Sequence, residues 1–171
     1  VGCMYLYKAE SSSPIKDNKL SPRITETAKS LWSVYILLTI TCAIMYKFAG
    51  MNYFDAVGHS FSTVSIGGFS THNSSIGFYS NDLIKIICIL FMFLSALNFV
   101  LHFLFFKNRL LTTYTANSEF KTFVSIIIIL FVLIFIFSLN GKLESISNVD
   151  IIFQVFSFVT TSGFTTSNYS L

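Results

Sequence analysis

The amino-acid sequence predicts an all-α membrane protein, and two observations carry this prediction. Of the 171 residues, 53% are hydrophobic, 17% are aromatic and only 11% are charged, which is far more apolar than an average soluble domain. Apolar runs occur at 31–50, 83–106 and 123–140, and about 20 apolar residues suffice for a helix to cross the hydrocarbon core of a bilayer. These three runs are therefore predicted to be membrane spans.

Basic residues flank the predicted spans unevenly, and this asymmetry indicates their orientation. Residues 51–82 contain no Lys or Arg, whereas the segments before the first span and between the second and third spans are basic, through Lys8, Lys16, Lys19, Arg23, Lys29, Lys107, Arg109 and Lys121. The positive-inside rule therefore places residues 51–82 outside and the two basic segments in the cytoplasm. Because the net charge of +3 is divided among these flanks, no nucleic-acid partner is expected.

Several other classes of protein find no support in the sequence. Cys3, Cys42 and Cys88 lie too far apart for a CxxC or zinc-type pattern, so they are interpreted as small apolar side chains. No nucleophile–base arrangement or phosphate-binding glycine loop is visible, and we do not expect an enzyme. The chain opens with "VGCMYLYKAE" and stops just after a polar stretch, which suggests a fragment of a longer protein.

Two polar stretches between the apolar runs are copies of one element. A shift of 95 residues superimposes residues 54–75, the first copy, on residues 149–170, the second copy, with nine of 22 pairs identical. Chance predicts about one or two identities at ordinary composition and about three in so biased a chain. The same shift lays the first predicted span over the third, so the repeated unit includes a span and the polar stretch that follows it.

Each copy divides into a short helix and a stretch that disfavours helix. "YFDAVGHSFSTV" at 53–64 and "VDIIFQVFSFVT" at 149–160 have helical potential but are too short to cross a bilayer. The following "SIGGFST" and "TSGFTT" are poor helix formers, because Gly and clustered Ser or Thr favour turns and extended backbone. Non-helical backbone at membrane depth is tolerated only where protein buries it or where it lines a water-filled cavity.

Such an element has the chemistry of an ion pathway. A short helix that enters from outside directs its negative C-terminal end toward the membrane interior, where a cation is stabilised. The carbonyl oxygens of the next residues can then replace the hydration shell of an ion, as in potassium-channel filters. The predicted fold is thus an all-α membrane protein with potassium-channel-like repeats of span, pore helix, filter and span, one complete and one partial.

Four blocks of the sequence resemble the Trk/Ktr/HKT potassium transporter superfamily: "LYKAE", "KDNKLSPRITETAKSLW", "FAGMNYFDAVGHSFSTVSIGGFSTHNSSIGFYSND" and "IFQVFSFVTTSGFTTSNYSL". In that superfamily one polypeptide holds four non-identical pore units around a pseudo-fourfold axis. The resemblance implies the end of a first inner helix at 1–10, a cytoplasmic linker at 11–30, a complete second pore unit at 31–106 with pore helix and filter at 52–75, a cytoplasmic loop at 107–122, and a partial third unit at 123–171 with pore helix and filter at 148–170.

The resemblance also implies the site residues and partners. The filters would be Ser65, Ile66, Gly67, Gly68 and Phe69 in the second unit and Thr160, Thr161, Ser162, Gly163 and Phe164 in the third. K⁺ would be the transported ion, with no cofactor bound to this chain. The expected setting is the bacterial inner membrane, as a homodimer with a cytoplasmic nucleotide-binding regulatory subunit similar to TrkA, and selectivity for K⁺ over Na⁺ stays open.

Two polar side chains, one lysine and the transport mechanism each have alternative interpretations. Asn98 and His102 stand four residues apart and would share a helix face, either lining the pore or hydrogen-bonding to a neighbouring helix. Lys85 lies near a span end, where snorkelling to the lipid headgroups is the ordinary interpretation. A secondary cation symporter with discontinuous helices is the alternative function, although such proteins typically show inverted repeats and the two copies here are parallel.

The charged and imidazole groups of the first copy have two interpretations as well. Asp55 and its counterpart Asp150 lie at the outer start of the short helices, where the positive helix end favours a carboxylate. Attraction of cations to an outer vestibule is the second interpretation. His59 and His72 are interpreted as vestibule or packing residues, because no carboxylate or cysteine lies at metal-ligand spacing.

Overall fold

The computed structural model of this chain describes residues 24–137 and 147–166. Predictions that concern residues 1–23, 138–146 and 167–171 lie outside these described residues. Within them the fold contains helices and no strand, so the all-α prediction is confirmed. The helices are α1 (Ile24–Phe48), α2 (Tyr53–Val64), a 3₁₀ helix (Ser75–Phe78), α3 (Asp82–Ala96), α4 (Phe99–Asn108), α5 (Thr112–Thr115), α6 (Ser118–Phe137) and α7 (Asn148–Val159).

Two of the described helices are long and apolar enough to cross a membrane. These are Ala28–Phe48 within α1 and Ser118–Ile136 within α6, and the bent pair of α3 and α4 would make a third. Both long helices present large apolar side chains outward, among them Ile40, Ile44, Ile128, Ile129 and Leu133. A helix that is apolar on its outer face as well as its inner face is typical of a lipid environment.

The predicted span at 83–106 is two helices instead of one. α3 ends at Ala96 and α4 begins at Phe99, and the two helices differ in direction by 92°. Leu97 is extended, and the Asn98 side chain accepts a 3.0 Å hydrogen bond from the Val100 amide, which starts the new helix. Since no glycine or proline marks this break, the apolar run alone did not indicate it.

The core lies where the two copies meet. Tyr46 of α1 is fully buried, and its hydroxyl is 2.9 Å from the Thr63 hydroxyl of α2. Phe153 and Phe164 from the second copy are buried in the same cluster as Tyr46. Two of the cysteines are free and buried in this core, as their interpretation as small apolar side chains requires: Cys42 and Cys88. The copies therefore share one core, which fixes their relative position.

Candidate functional site

The short helices α2 and α7 end in the same hydrogen-bond pattern. In each helix, the second and third residues after the last helical residue donate their amides back into the final turn, which is the pattern of a Schellman motif. In α2 the bonds run from Ile66 to Thr63 (3.2 Å) and from Gly67 to Ser62 (2.7 Å), and in α7 from Thr161 to Phe158 (3.1 Å) and from Ser162 to Ser157 (3.0 Å). Each bond in one helix has its counterpart 95 residues away in the other.

The backbone angles after the two helices repeat as well. Ile66 and Thr161 have φ of 56° and 60°, in the left-handed region where glycine is the usual residue. Both are β-branched, a class for which this conformation is a genuine outlier. Two residues further on, Gly68 and Gly163 have φ of 68° and 77°. Strain that recurs at equivalent positions is held in place by the surrounding structure, which is common at functional sites.

The two candidate filter segments, residues 65–69 and 160–164, are in direct contact. A Cβ atom built on Gly68 would lie only 2.0 Å from the carbonyl oxygen of Ser162 and 3.3 Å from the carbonyl carbon of Gly163. Just beyond, the Gly77 amide donates to the Thr165 carbonyl at 3.1 Å. Only glycine at position 68 permits this approach of one backbone to the other.

Buried hydroxyl groups hold the second candidate filter segment against its own helix and against α3. The Ser157 hydroxyl donates to the Phe164 carbonyl at 2.7 Å. The Ser162 hydroxyl lies 2.9 Å from the Met92 sulfur of α3. Phe164 itself is completely buried in the shared core. Since hydrogen bonds and apolar packing act on neighbouring residues, this segment is fixed from two sides.

At three positions within the described residues, one copy lacks a contact that the equivalent position in the other copy makes. Phe69 is 81% exposed, whereas its counterpart Phe164 is 0% exposed. The Ser62 hydroxyl is buried without a hydrogen-bond partner in the described part of the chain. A Cβ atom on Gly163 would meet nothing within 4 Å. Among the described residues, Phe69 and Ser62 of the first copy and Gly163 of the second thus lack the contacts that their counterparts make.

Asp55 in the first turn of α2 holds the chain that returns after the first candidate filter segment. Its two carboxylate oxygens lie 2.5 Å from the Thr71 hydroxyl and 3.0 Å from Nε2 of His72. One turn later, Nδ1 of His59 is 2.8 Å from the Asp55 carbonyl, and Nε2 is 2.9 Å from the Ser70 hydroxyl. Because a carbonyl only accepts, Nδ1 carries the proton, and Nε2 of the neutral ring accepts from Ser70.

The pKa of Asp55 reflects these contacts. Burial alone raises the pKa of this carboxyl, but the hydrogen bonds from Thr71 and His72 outweigh burial and lower it to about 2. A depressed pKa in the folded state stabilises the fold at pH values above the unfolded value of 3.8. That stabilisation is lost as the pH falls through the folded value of about 2.

We expect Asp55→Asn to lower the thermal unfolding midpoint of the detergent-solubilised protein near neutral pH, because the charge-assisted contacts with Thr71 and His72 are lost. The unfolding midpoint of the variant should also depend less on pH between the unfolded and folded pKa values of Asp55, 3.8 and about 2. Asp82→Asn is the matched control, since it removes the same charge from a side chain that is 54% exposed. An acid profile of Asp55→Asn identical to that of the parent would contradict the assignment.

The second copy uses different side chains at the equivalent positions. Gln154 stands where the first copy has His59, and its amide donates to the Thr166 hydroxyl at 3.3 Å. Asp150, the counterpart of Asp55, lies 2.8 Å from Nζ of Lys85 on α3. Lys85 is only 9% exposed, so it does not extend to lipid headgroups as the sequence suggested but pairs with a carboxylate of the other copy.

Asn98 and His102 both belong to α4, Asn98 as its N-cap and His102 four residues further along. Asn98 caps the start of α4, and His102 is buried on that helix. Nε2 of His102 is 2.8 Å from the Leu94 carbonyl, and Nδ1 is 2.8 Å from the Tyr114 hydroxyl. Of the two alternatives left open, the structure therefore has His102 hydrogen-bonded to neighbouring elements, where it satisfies a carbonyl near the broken end of α3.

Sequence reasoning missed the ion pair of Lys85 with Asp150 and left the histidines of the first copy without partners. The spacing of Asp55 and His59, one helical turn apart, was an available signal for a shared polar face. No comparable signal joins Lys85 to Asp150, which are 65 positions apart. Among the described residues, no group of three or more His, Cys, Asp or Glu is arranged to hold a metal ion.

Comparisons with known proteins agree with the resemblance drawn from the sequence. The family model of TrkH, described as a cation transport protein, matches residues 1–170. The Trk system potassium uptake protein TrkH of Halomonas elongata is 47% identical over 99% of this chain and 36% of its own length. TrkH of Escherichia coli strain K12 is 46% identical over 98% of this chain and 35% of its own length.

A solved structure matches the fold. The crystal structure of the potassium transporter TrkH from Vibrio parahaemolyticus superposes with a TM-score of 0.79 at 42% identity, over 88% of this chain and 33% of that chain. This chain thus spans about a third of the length of the curated relatives it matches. The family match over nearly every residue and the superposition of the helices lead to one conclusion. The chain belongs to the TrkH family of cation transport proteins.

Proposed function

We propose that this chain is part of a Trk-type transporter that takes up potassium across the bacterial cytoplasmic membrane. Its ions would pass along a filter of backbone carbonyls from residues 65–69 and 160–164. The observation that carries the proposal is the pair of strained turns, which have the same hydrogen-bond pattern and similar φ values and whose backbones touch at Gly68 and Ser162. A turn that only connects two helices needs neither the strain nor the contact.

The backbone angles supply a chemical reason for this assignment. In both candidate filter segments φ is positive at every second residue, at Ile66 and Gly68 and at Thr161 and Gly163. In an ordinary extended strand successive carbonyls point to opposite sides, whereas residues alternating in the sign of φ turn them toward a common side. Several carbonyl oxygens can then replace the water molecules around one potassium ion.

The short helices add a favourable field. α2 and α7 both end immediately before a candidate filter segment, so the negative ends of their dipoles face that position. The polar side chains of the segments, such as Ser65 and Thr161, tolerate a wet lumen. Asp55 lies on the stretch predicted to be external, which contains no Lys or Arg, so the entrance favours cations over anions.

The exposed Phe69 and, within the described residues, the open side of Gly163 support further pore units on both sides of the pair. Phe164 is buried against the first copy, and the exposed Phe69 would be buried in the same way against a preceding unit. Gly68 touches the second copy, and the open side of Gly163 would likewise touch a following unit. The proposal therefore includes four units around one pore, as the family resemblance implies. The homodimer and the TrkA-like regulatory subunit rest on that resemblance alone.

The test is growth of bacteria that lack their own potassium uptake systems. We expect the full-length polypeptide that contains this chain to restore growth at low external potassium, with potassium uptake that is measurable in washed cells. The chain alone should fail, because two copies of the element cannot close a pore. Full-length protein that reaches the membrane but produces no potassium uptake would contradict the proposal, as would rescue by the chain alone.

A further inference from the structure

One ion pair that is mostly shielded from solvent joins the two copies near the predicted outer side. Nζ of Lys85, in the first turn of α3, lies 2.8 Å from Asp150 in the first turn of α7 and 3.2 Å from Asp82 on its own helix. The Lys85 side chain is 11% exposed and that of Asp150 is 17% exposed, whereas Asp82 is 54% exposed. The contact with Asp150 is thus the shielded one, where an ion pair is least weakened by water and salt.

The equivalent aspartates of the two copies have different partners. Asp55 is held within its own copy by Thr71 and His72. In the second copy, the amide of Gln154 contacts the counterpart of Thr71. The carboxylate of Asp150 points instead to a lysine of the helix that follows the first copy. Repetition therefore explains the carboxylate at this position, but it does not explain its partner.

α3 contacts the second copy at two levels. At the outer level Lys85 meets Asp150, and at the inner level the sulfur of Met92 lies 2.9 Å from the Ser162 hydroxyl. Seven residues separate Lys85 from Met92, which is roughly 10 Å along a helix. Two attachments at this spacing fix how far α7 sits along α3. The depth of α7 in turn sets where Ser162 meets Gly68.

We propose that Lys85 is a positioning residue for ion selection. Through Asp150 it fixes the depth of α7 and thereby the spacing between the two candidate filter segments. The inference rests on the proposed function, because it concerns the ion that these segments select. A filter selects ions through the carbonyl oxygens that replace the hydration shell, so we expect a displaced second segment to admit Na⁺ more readily before it abolishes flux.

Asp150→Asn is the cleanest test, because Lys85 keeps Asp82 as a partner and no buried charge is left uncompensated. In the full-length transporter, we expect this variant to lower the ratio of K⁺ to Na⁺ uptake about five- to tenfold, with smaller losses of K⁺ uptake itself. Lys85→Met should act in the same way, and the double variant should be no worse than Lys85→Met alone, as expected for two groups that act through one contact.

Two further variants separate positioning from charge. Asp82→Asn removes the same charge beside Lys85 but leaves the contact between the copies, so its uptake ratio should stay within about twofold of the parent. Lys85→Arg keeps the charge and should retain more of the ratio than Lys85→Met. An unchanged ratio in Asp150→Asn, or an equal loss in Asp82→Asn, would overturn the inference while leaving potassium uptake by the parent as support for the proposed function.

Hydrogen exchange provides a readout that does not depend on transport. In purified Asp150→Asn protein, amides of residues 160–164 should exchange faster than in the parent, whereas amides of the α2 interior should be unchanged. Equal protection of residues 160–164 in parent and variant would overturn the positioning role, even if the parent did not carry potassium. Failure of the proposed function and failure of this inference are thereby distinguishable.

Discussion

Gly68→Ala is expected to reduce potassium uptake by the full-length transporter at least about tenfold, because two effects add at this residue. The added Cβ atom would lie 2.0 Å from the Ser162 carbonyl oxygen, so one of the two backbones must move. The φ of 68° also places an L side chain in the left-handed region, at a cost of about 1–2 kcal/mol. Uptake assays at matched amounts of membrane protein measure the loss.

Gly67→Ala is the matched control for this variant. The same methyl group is added one residue earlier, where φ is not positive and the nearest atoms belong to the side chains of Ser65 and Phe69, at 3.1 and 3.3 Å. These side chains can move by a few tenths of an ångström, so uptake should fall much less than in Gly68→Ala. Equal losses in both variants would show that the contact with Ser162 is not what makes Gly68 necessary.

Gly163→Ala is expected to be nearly as damaging as Gly68→Ala in the full-length transporter. Within the described residues an added Cβ would meet nothing within 4 Å, and only the φ of 77° opposes it. If a following pore unit touches Gly163 as the second copy touches Gly68, the methyl group will collide with that unit. The expected loss of uptake is therefore larger than strain of about 1–2 kcal/mol in one turn explains.

Gly50→Ala reports the effect of strain alone. Gly50 has φ of 107° and an open surrounding, and it lies between α1 and α2, outside both candidate filter segments. We expect this variant to lose some thermal stability and to keep most of its potassium uptake. If Gly163→Ala were as mild as Gly50→Ala, the proposal of a further unit against Gly163 would be wrong.

The sequence by itself predicted much of the fold because local patterns carry that information. Apolar runs of sufficient length indicated the spans, and the short helix predicted at 53–64 is α2. The 95-residue repeat indicated that Gly68 and Gly163 are equivalent, and both have positive φ. A resemblance in four blocks was enough to predict the family, which the comparisons confirmed.

Other features were decided only by the tertiary structure. An apolar run has the same pattern whether a helix continues or breaks, so the sequence did not indicate the 92° bend after α3. In the folded chain this bend is accompanied by the cap at Asn98 and by the hydrogen bonds of His102. Side chains far apart in the chain leave no periodic trace, so the pairing of Lys85 with Asp150 is visible only in the folded chain. Local propensity determined which residues form helices and strained turns, while burial of charge and close backbone contact determined which of them meet.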